Sequence, residues 1–309
     1  MCSEAGPVRA AIDLGTNTAW MVVGRTMPGG QIEIIDDAHA VARLGKGVDA
    51  QRRISPETME RVCQILARYR DRALSHGAQQ VRVFGTSALR DAANKEEFRA
   101  KVEREVGLEL VEVSGREEAD LTFRGAAFGL ELPPRYGVLD IGGGSTELAV
   151  GQGDQVQRAV SVDVGAVRVT ERFFTQLPPD PAQVSTAAEM VRTALTGFFA
   201  YPPSTPLVGV AGTVTTIGAL DRRVEHFDAE ELNGHFLAAP RVGAWCDQLL
   251  GLPVEEIRQL PQVHEQRADI IGAGALILHL ALAHLGVPGL IVSTRGIRYG
   301  LLMKELAKP

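Results

Sequence analysis

"AAIDLGTNTAWMVVG" (Ala10–Gly24) and "GVLDIGGGSTELAVG" (Gly137–Gly151) share one plan: an apolar run carrying an aspartate, a turn of small residues, and a second apolar run. A single shift, the 127 positions from Asp13 to Asp140, also places Ile12 on Leu139, Gly15 on Gly142, Thr18 on Ser145 and Gly24 on Gly151. Short apolar segments punctuated by Gly, Thr, Asn and Ser read as strand, tight turn and strand. The chain therefore reads as an internal duplication, each half opening on a hairpin with strands over Val8–Asp13 and Ala19–Gly24 in the first copy.

Outward from the first hairpin, Ile32–Ile35 reads as a third strand. Ser55-Pro56-Glu57 supplies an N-cap, a first-turn proline and an early acid. The helix it starts has apolar positions Met59, Val62, Cys63, Leu66 and Tyr69 at helical spacing and runs to Ser75. Val81–Phe84 is a strand, Lys95–Val106 a helix, Leu108–Val113 a strand and Glu117–Phe128 a helix. Such alternation indicates layered α/β architecture. In the second half, Leu207–Val210 is an apolar strand followed by a third glycine turn, Ala211-Gly212-Thr213, with a helix beginning at Thr216. Ile270–Leu285 is apolar at helical length, which suits either core or interface.

With 309 residues, 45% hydrophobic and 23% charged, the chain is long enough for two domains with sizeable cores. A formal charge of −6 argues against diffuse nucleic-acid binding, which needs a broad cationic surface. No run of about 18 apolar residues suggests a membrane span, and the N-terminus lacks a basic and then apolar leader. A cytoplasmic protein that contacts neither membrane nor nucleic acid is expected. Cys2, Cys63 and Cys246 have no metal-ligand spacing and read as reduced structural thiols.

Asp13-Leu-Gly-Thr-Asn-Thr18, Thr86-Ser-Ala-Leu-Arg90, Ser114-Gly-Arg-Glu-Glu118-Ala, Asp140-Ile-Gly-Gly-Gly-Ser-Thr-Glu147, Arg267-Ala-Asp-Ile-Ile271 and Gly296-Ile-Arg298 occur in that order along nearly the whole chain. Together they resemble the exopolyphosphatase and guanosine pentaphosphate phosphohydrolase family, in its short form without an extra C-terminal helical domain. The resemblance implies the actin, Hsp70 and sugar-kinase superfamily: two related actin-like, ribonuclease H-like α/β domains with an interdomain cleft. The expected division is 1–129 plus 297–309 for the domain with the first turn, and 130–296 for the domain with the second.

Several residues then acquire expected roles. Gly142, Gly143, Gly144 and Ser145 can aim successive N–H groups into one concavity, because glycine tolerates positive φ and presents no Cβ to a phosphate. Gly15, Thr16, Asn17 and Thr18 form a facing turn, and Gly212 with Thr213 a third; for each turn alone an ordinary hairpin is the competing reading. Asp13 and Asp140 would repel a phosphate chain unless a divalent metal, Mg²⁺ or Mn²⁺, stood between them largely through water. An Asx cap of the turn is the competing role for each aspartate. Arg90 is a candidate for paired hydrogen bonds to phosphate, against an exposed helix-start arginine. Glu147 is a second candidate carboxylate, against an outward surface position on its strand.

Hydrolysis of a phosphoanhydride needs an in-line water, a group to orient or deprotonate it, and positive charge on the transferring oxygens. Glu117 and Glu118 lie roughly 100° apart around one helix, so one of them faces a site. The resemblance selects Glu118 as catalytic; without it, two first-turn glutamates suit a solvated helix start. Arg267 and Arg298 sit in family-like contexts that fit either ligand contacts or interdomain ion pairs, with Arg267 assigned to phosphate. Lys46, within Leu44-Gly-Lys-Gly47, could add charge beside the site, although a plain turn suits it too.

Other templates fail: there is no GxxxxGK[ST] loop, His264-Glu265 lacks the second histidine of HExxH, and Gly143-Gly-Ser145-Thr-Glu147 lacks the last glycine of GxSxG. The expected activity is release of the terminal phosphate of inorganic polyphosphate, with hydrolysis of guanosine pentaphosphate to the tetraphosphate as the alternative, by a homodimer. An acceptor-dependent kinase and a silent polyphosphate or nucleotide sensor are the competing classes.

Overall fold

The structure is a computed structural model that describes residues 5–225 and 228–308, so Cys2 lies outside the described residues. The chain divides into two compact units, one ending at Leu121 and resuming at Ile297, the other Thr122–Gly296. The first boundary falls inside a helix rather than after residue 129. Its cause is local: a Cβ at Gly300 would collide with the backbone of Leu121, so the start of that helix packs directly on the returning C-terminal segment.

In unit 1, β1 (Arg9–Leu14), β2 (Thr18–Thr26), β3 (Ile32–Val41), β4 (Gln80–Gly85) and β5 (Leu110–Glu112) form one sheet in the order β3-β2-β1-β4-β5. The first three strands are antiparallel, and β1, β4 and β5 run parallel. Helices α1 (Val48–Gln51), α2 (Pro56–Ser75), α3 (Ser87–Asp91), α4 (Lys95–Val106) and α5 (Gly115–Ala126) follow in chain order. Ser55 caps α2 by accepting from the Thr58 N–H at 3.2 Å, and Met59, Val62, Cys63, Leu66 and Tyr69 are buried on its inner face. Strand β3 runs six residues beyond the expected Ile35. Asp36, Asp37 and His39 hide it from apolar pattern, and their demands are met by tertiary partners: Asp36 takes two bonds from Arg72, and Asp37 takes bonds from Arg298 and Tyr299.

In unit 2, β6 (Arg135–Ile141), β7 (Thr146–Gln152), β8 (Gln155–Val162), β9 (Leu207–Val210), β10 (Phe236–Ala238) and β11 (Gly289–Val292) are ordered β10-β11-β9-β6-β7-β8. Strands β8-β7-β6-β9-β11 repeat the plan β3-β2-β1-β4-β5, and β10 is an antiparallel addition at the edge. The register repeats too. Both second strands carry an irregularity at positions related by the same shift, between Val23 and Gly24 and between Val150 and Gly151. Glycine is required at each because the partner strand crosses too close for a Cβ, which would meet Glu33 O at Gly24 and Gln155 O at Gly151.

The helices of unit 2 are α6 (Ala166–Phe173), α7 (Pro181–Leu195), α8 (Ala211–Arg222), α9 (Ala229–Leu232), α10 (Ala239–Gly251), α11 (Val254–Arg258) and α12 (Ile271–Leu285). Helix α13 (Ile297–Leu306) then returns to unit 1. Helix α12 is core: Ile271, Ile277, Leu278 and Ala281 have no exposed surface, in a cluster with Val191 and Leu195 of α7 and Val242 of α10. Helix α8 starts at Ala211, five residues before the expected Thr216, so the third "glycine turn" is the first turn of a helix. Its small, Thr-rich start hid it from helical periodicity, and Ala211 enters with φ 69°, a left-handed conformation uncommon for alanine.

Candidate active site

Each unit places its site residues where the parallel strands end, the edge at which open α/β sheets bind ligands. In unit 1, Asp13 lies near the end of β1, in register with Trp20 on β2 and Phe84 on β4. Thr86 follows β4 directly, and Glu118 lies in the first turn of α5 just after β5. In unit 2, Asp140 is in register with Glu147 on β7 and Val210 on β9.

The two turns are built alike. Gly15 N–H donates to Thr18 O at 3.0 Å, and Gly142 N–H donates to Ser145 O at 3.0 Å, which closes each turn. The chain after the third strand then folds back over it. Gly45 N–H donates to Thr16 O at 2.8 Å, and Ala42 and Arg43 donate to Asn17 O at 2.9 and 2.8 Å. In unit 2, Ala166 donates to Gly142 O at 3.0 Å, and Val167 and Arg168 donate to Gly143 O at 2.8 and 3.1 Å. A trans peptide points its C=O and N–H in opposite directions, so holding the carbonyls on one side turns the N–H groups to the other. Among the described residues no backbone acceptor takes the N–H groups of Thr16 and Asn17, or those of Gly143 and Gly144.

The reason for the glycines differs from the expected one. Gly15 and Gly142 do not adopt positive φ; a Cβ would meet Thr18 O at 3.0 Å and Ser145 O at 3.2 Å. Nor are Gly143 and Gly144 among the left-handed glycines. Close approach is the constraint, because a Cβ at Gly165 would come within 2.5 Å of the Gly143 and Gly144 backbone.

Glu118 is buried and Glu117 is not. Glu117 accepts from Lys304 Nζ at 2.5 Å on the α13 side, whereas Glu118 Oε2 accepts from Arg90 Nη1 at 2.6 Å and its carboxylate also takes a bond from Thr86. Burial pushes the Glu118 carboxyl above the usual range, and the Arg90 charge with its hydrogen bond pulls the other way. Arg90 also donates to Val113 O at 2.8 Å, so the arginine expected to bind phosphate is in contact with Glu118 and the residue after β5.

Glu147 is 2% exposed, which removes the outward-facing alternative; Ser161 Oγ donates to its Oε1 at 2.7 Å. Thr122 Oγ1 donates to Asp140 Oδ2 at 3.4 Å. Asp140 and Glu147 thus bring two buried carboxylates together on neighbouring strands. Thr213 turns its side chain into packing, because Gly274 of α12 leaves room for its hydroxyl. The Arg267 guanidinium lies against Gly212 at the start of α8, where a Cβ would have to displace it. Burial lowers the Arg267 pKa to about 10, and Asp269 opposes the shift. A guanidinium beside the positive end of a helix is a favourable place for an anion.

Arg298 is placed in an ion pair, but one within a single unit rather than between domains. It makes a bidentate pair with Asp37, Nε to Oδ1 at 2.9 Å and Nη2 to Oδ2 at 2.8 Å, and its guanidinium lies 4.4 Å from the centre of the Trp20 ring. All three residues belong to unit 1, so this is an internal clamp of that unit. Lys46 is exposed beside the strap that covers the first turn. Cys63 and Cys246 are free and buried, with burial pushing their thiols up to about 11 and about 12, as suits structural thiols.

Sequence reasoning missed Arg168, which is buried and donates from Nε to Gly144 O at 2.8 Å. The available signal was a lone arginine between two valines in a short apolar segment directly after Gly165. Thr86 and Thr122 were also missed as carboxylate partners, since a threonine after a strand or within a helix carries no distinctive pattern. Among the described residues no group of three or more His, Cys, Asp or Glu side chains could hold a metal, and no helix is long and apolar enough to cross a membrane.

Known proteins share this fold. The chain is 34% identical over 310 residues to exopolyphosphatase 2 of Mycobacterium tuberculosis, covering 95% of this chain and 97% of that protein. The crystal structure of an exopolyphosphatase-like protein matches with a TM-score of 0.89 at 32% identity, covering 98% of each chain. The Aquifex aeolicus member of the Ppx/GppA protein family matches with a TM-score of 0.81 at 31% identity, covering 97% of this chain and 98% of that one. The profile of the Ppx/GppA phosphatase family matches residues 22–309. With both actin-like halves and nearly the full length accounted for, the chain belongs to the Ppx/GppA phosphatase family.

Proposed function

We propose that this phosphoanhydride hydrolase is an exopolyphosphatase that releases orthophosphate from the end of inorganic polyphosphate. The observation that carries the reading is the pair of equivalent turns in which the carbonyls opposite the Asn17, Gly143 and Gly144 N–H groups are held from behind while those N–H groups have no backbone acceptor among the described residues. Such a turn binds anions, and a phosphate chain offers several. Its likeness to exopolyphosphatase 2 of Mycobacterium tuberculosis supports the same substrate class.

In this reading Glu118 takes a proton from a water as that water attacks the terminal phosphorus. The bond to the bridging oxygen breaks, and the shortened chain leaves with the electron pair. The raised pKa of the buried Glu118 suits a general base, and Arg90 and Thr86 keep its carboxylate oriented. Each turn offers N–H donors to phosphate oxygens, and in unit 2 Arg267 beside Gly212 adds positive charge.

The donor chemistry fits a divalent metal. Asp140 and Glu147, on neighbouring strands of unit 2, are hard oxygen ligands too few for an all-protein cage, which matches the preference of Mg²⁺ or Mn²⁺ for few carboxylates, water and phosphate oxygens, and Asp13 is the carboxylate at the equivalent strand position of unit 1. When bound, such an ion neutralises charge on the phosphoryl oxygens. The reading includes a cytoplasmic homodimer, which sedimentation of the purified protein and fractionation of cells test.

Glu118→Gln is the decisive variant. Phosphate release from polyphosphate is expected to fall by about 10²–10⁴-fold while binding of tripolyphosphate persists. Turnover within a few-fold of the parent would exclude Glu118 as the base. Guanosine pentaphosphate presents the same terminal anhydride, so its relative kcat/KM beside long and short polyphosphate identifies the preferred substrate.

A further inference from the structure

The second turn is held more completely than the first. In unit 1 two carbonyls, Thr16 O and Asn17 O, are held by backbone N–H groups alone. In unit 2 three consecutive carbonyls are held: Gly142 O by Ala166, Gly143 O by Val167 and Arg168, and Gly144 O by the Arg168 side chain. The first turn of α6 has spent its N–H groups on the first two carbonyls, so the third is reached by a side chain. Because each peptide is planar and trans, fixing Gly144 O fixes the direction of the Ser145 N–H. Among the described residues that N–H has no backbone acceptor, like those of Gly143 and Gly144.

We propose that Arg168 is a positioning residue for the phosphate-binding turn: through the Gly144 carbonyl it aims the Ser145 N–H, which completes a three-donor nest for a terminal phosphate. The inference rests on the turn being a phosphate site, as argued above. Three observations meet at this point. Arg168 is 5% exposed, although charged side chains are rarely buried without a specific task. Its Nε donates at 2.8 Å to a turn carbonyl. Gly165 lacks the Cβ that would push α6 away from Gly143 and Gly144, so backbone and side chain hold the turn from the same side. Three convergent N–H donors on one phosphate discriminate a terminal, fully charged group from a bridging one, which offers fewer oxygens.

Glutamine and methionine separate the roles of this side chain. Gln Nε2 occupies the place of Arg Nε along the side chain and retains the donor, whereas Met matches the stem and has none. The experiment titrates inorganic tripolyphosphate into Glu118→Gln protein carrying Arg168, R168Q or R168M, and follows affinity by calorimetry and the backbone amides of residues 143–145 by NMR. R168M is expected to weaken binding at least 10-fold and to abolish the ligand-induced shift at Ser145 while shifts at Gly143 and Gly144 persist. R168Q is expected to bind within about threefold of the Arg168 protein and to keep the Ser145 shift. Equal affinity and an unchanged Ser145 shift in R168M, or an R168Q that behaves as R168M does, would overturn the proposal. If the Arg168 protein itself fails to bind tripolyphosphate, the phosphate reading of the turn falls, and this inference with it.

Discussion

Glu118 shows how single side chains set the chemistry. Its neighbour Glu117 has the same composition and the same helix, yet Glu117 meets Lys304 in a half-exposed pair and Glu118 meets Arg90 in a buried one. Burial raises the Glu118 carboxyl while Arg90 and, less, the Thr86 hydrogen bond lower it, so removal of the arginine takes away the main opposition to the raising effect. The base must be deprotonated to act, and activity is therefore lost as pH falls through its pKa. In Arg90→Ala the acid limb of kcat/KM should move to higher pH, read from a pH–rate profile; a limb that stays in place or moves down would contradict the pairing. The Asp140 and Glu147 carboxylates make a second prediction. Chelation of divalent ions should abolish phosphate release and added Mg²⁺ or Mn²⁺ should restore it, whereas full activity in excess chelator would remove the metal from the reading.

Elements place these side chains by close approach as much as by periodicity. The irregularities at Gly24 and Gly151 bend the second strand of each hairpin at equivalent points, and at both the partner strand occupies the volume a side chain would need. At Gly24 a Cβ would stand 2.6 Å from Glu33 O and 2.9 Å from Leu302, with backbone on one side and the packed α13 on the other. Gly24→Ala should therefore cost about 1–3 kcal/mol, measured by urea unfolding, while an exposed glycine such as Gly29, with nothing within 4 Å, tolerates change in space though its φ of 93° favours glycine. Glycine in a glycine-rich turn is commonly read as a demand for positive φ. Here Gly142 and Gly165 are required by neighbouring backbone instead.

At the scale of the molecule, the chain leaves unit 1 within α5 and returns to it as α13. The return is clamped by Arg298, 7% exposed, whose bidentate pair with Asp37 and stacking on Trp20 tie the last helix to β2 and β3. Breaking a buried pair leaves the partner charge uncompensated, so Arg298→Ala should destabilise unit 1 by about 3 kcal/mol. Thermal unfolding and protease sensitivity of unit 1 read the effect. A fall in phosphate release with stability unchanged would instead make Arg298 a ligand contact.

The sequence by itself determined the duplicated hairpins, the α/β alternation and the helices α2 and α4, because these rest on local signals: apolar period, capping residues, and small residues at fixed spacing; the phosphatase family was legible through the resemblance carried by six motifs in order along the chain. Asp13, Asp140 and the two turns stood out through the repeated hairpin pattern, and Glu118 was singled out from Glu117 through the family resemblance. Only the tertiary structure decided what each charge meets. β3 extends through Asp36 and Asp37 because Arg72 and Arg298, distant in sequence, neutralise them. Arg90 supports Glu118, Glu147 is buried beside Asp140, and Arg168 holds the turn from behind. A buried charge is stable only with a partner, and that partner comes from another part of the chain, which no local pattern can name.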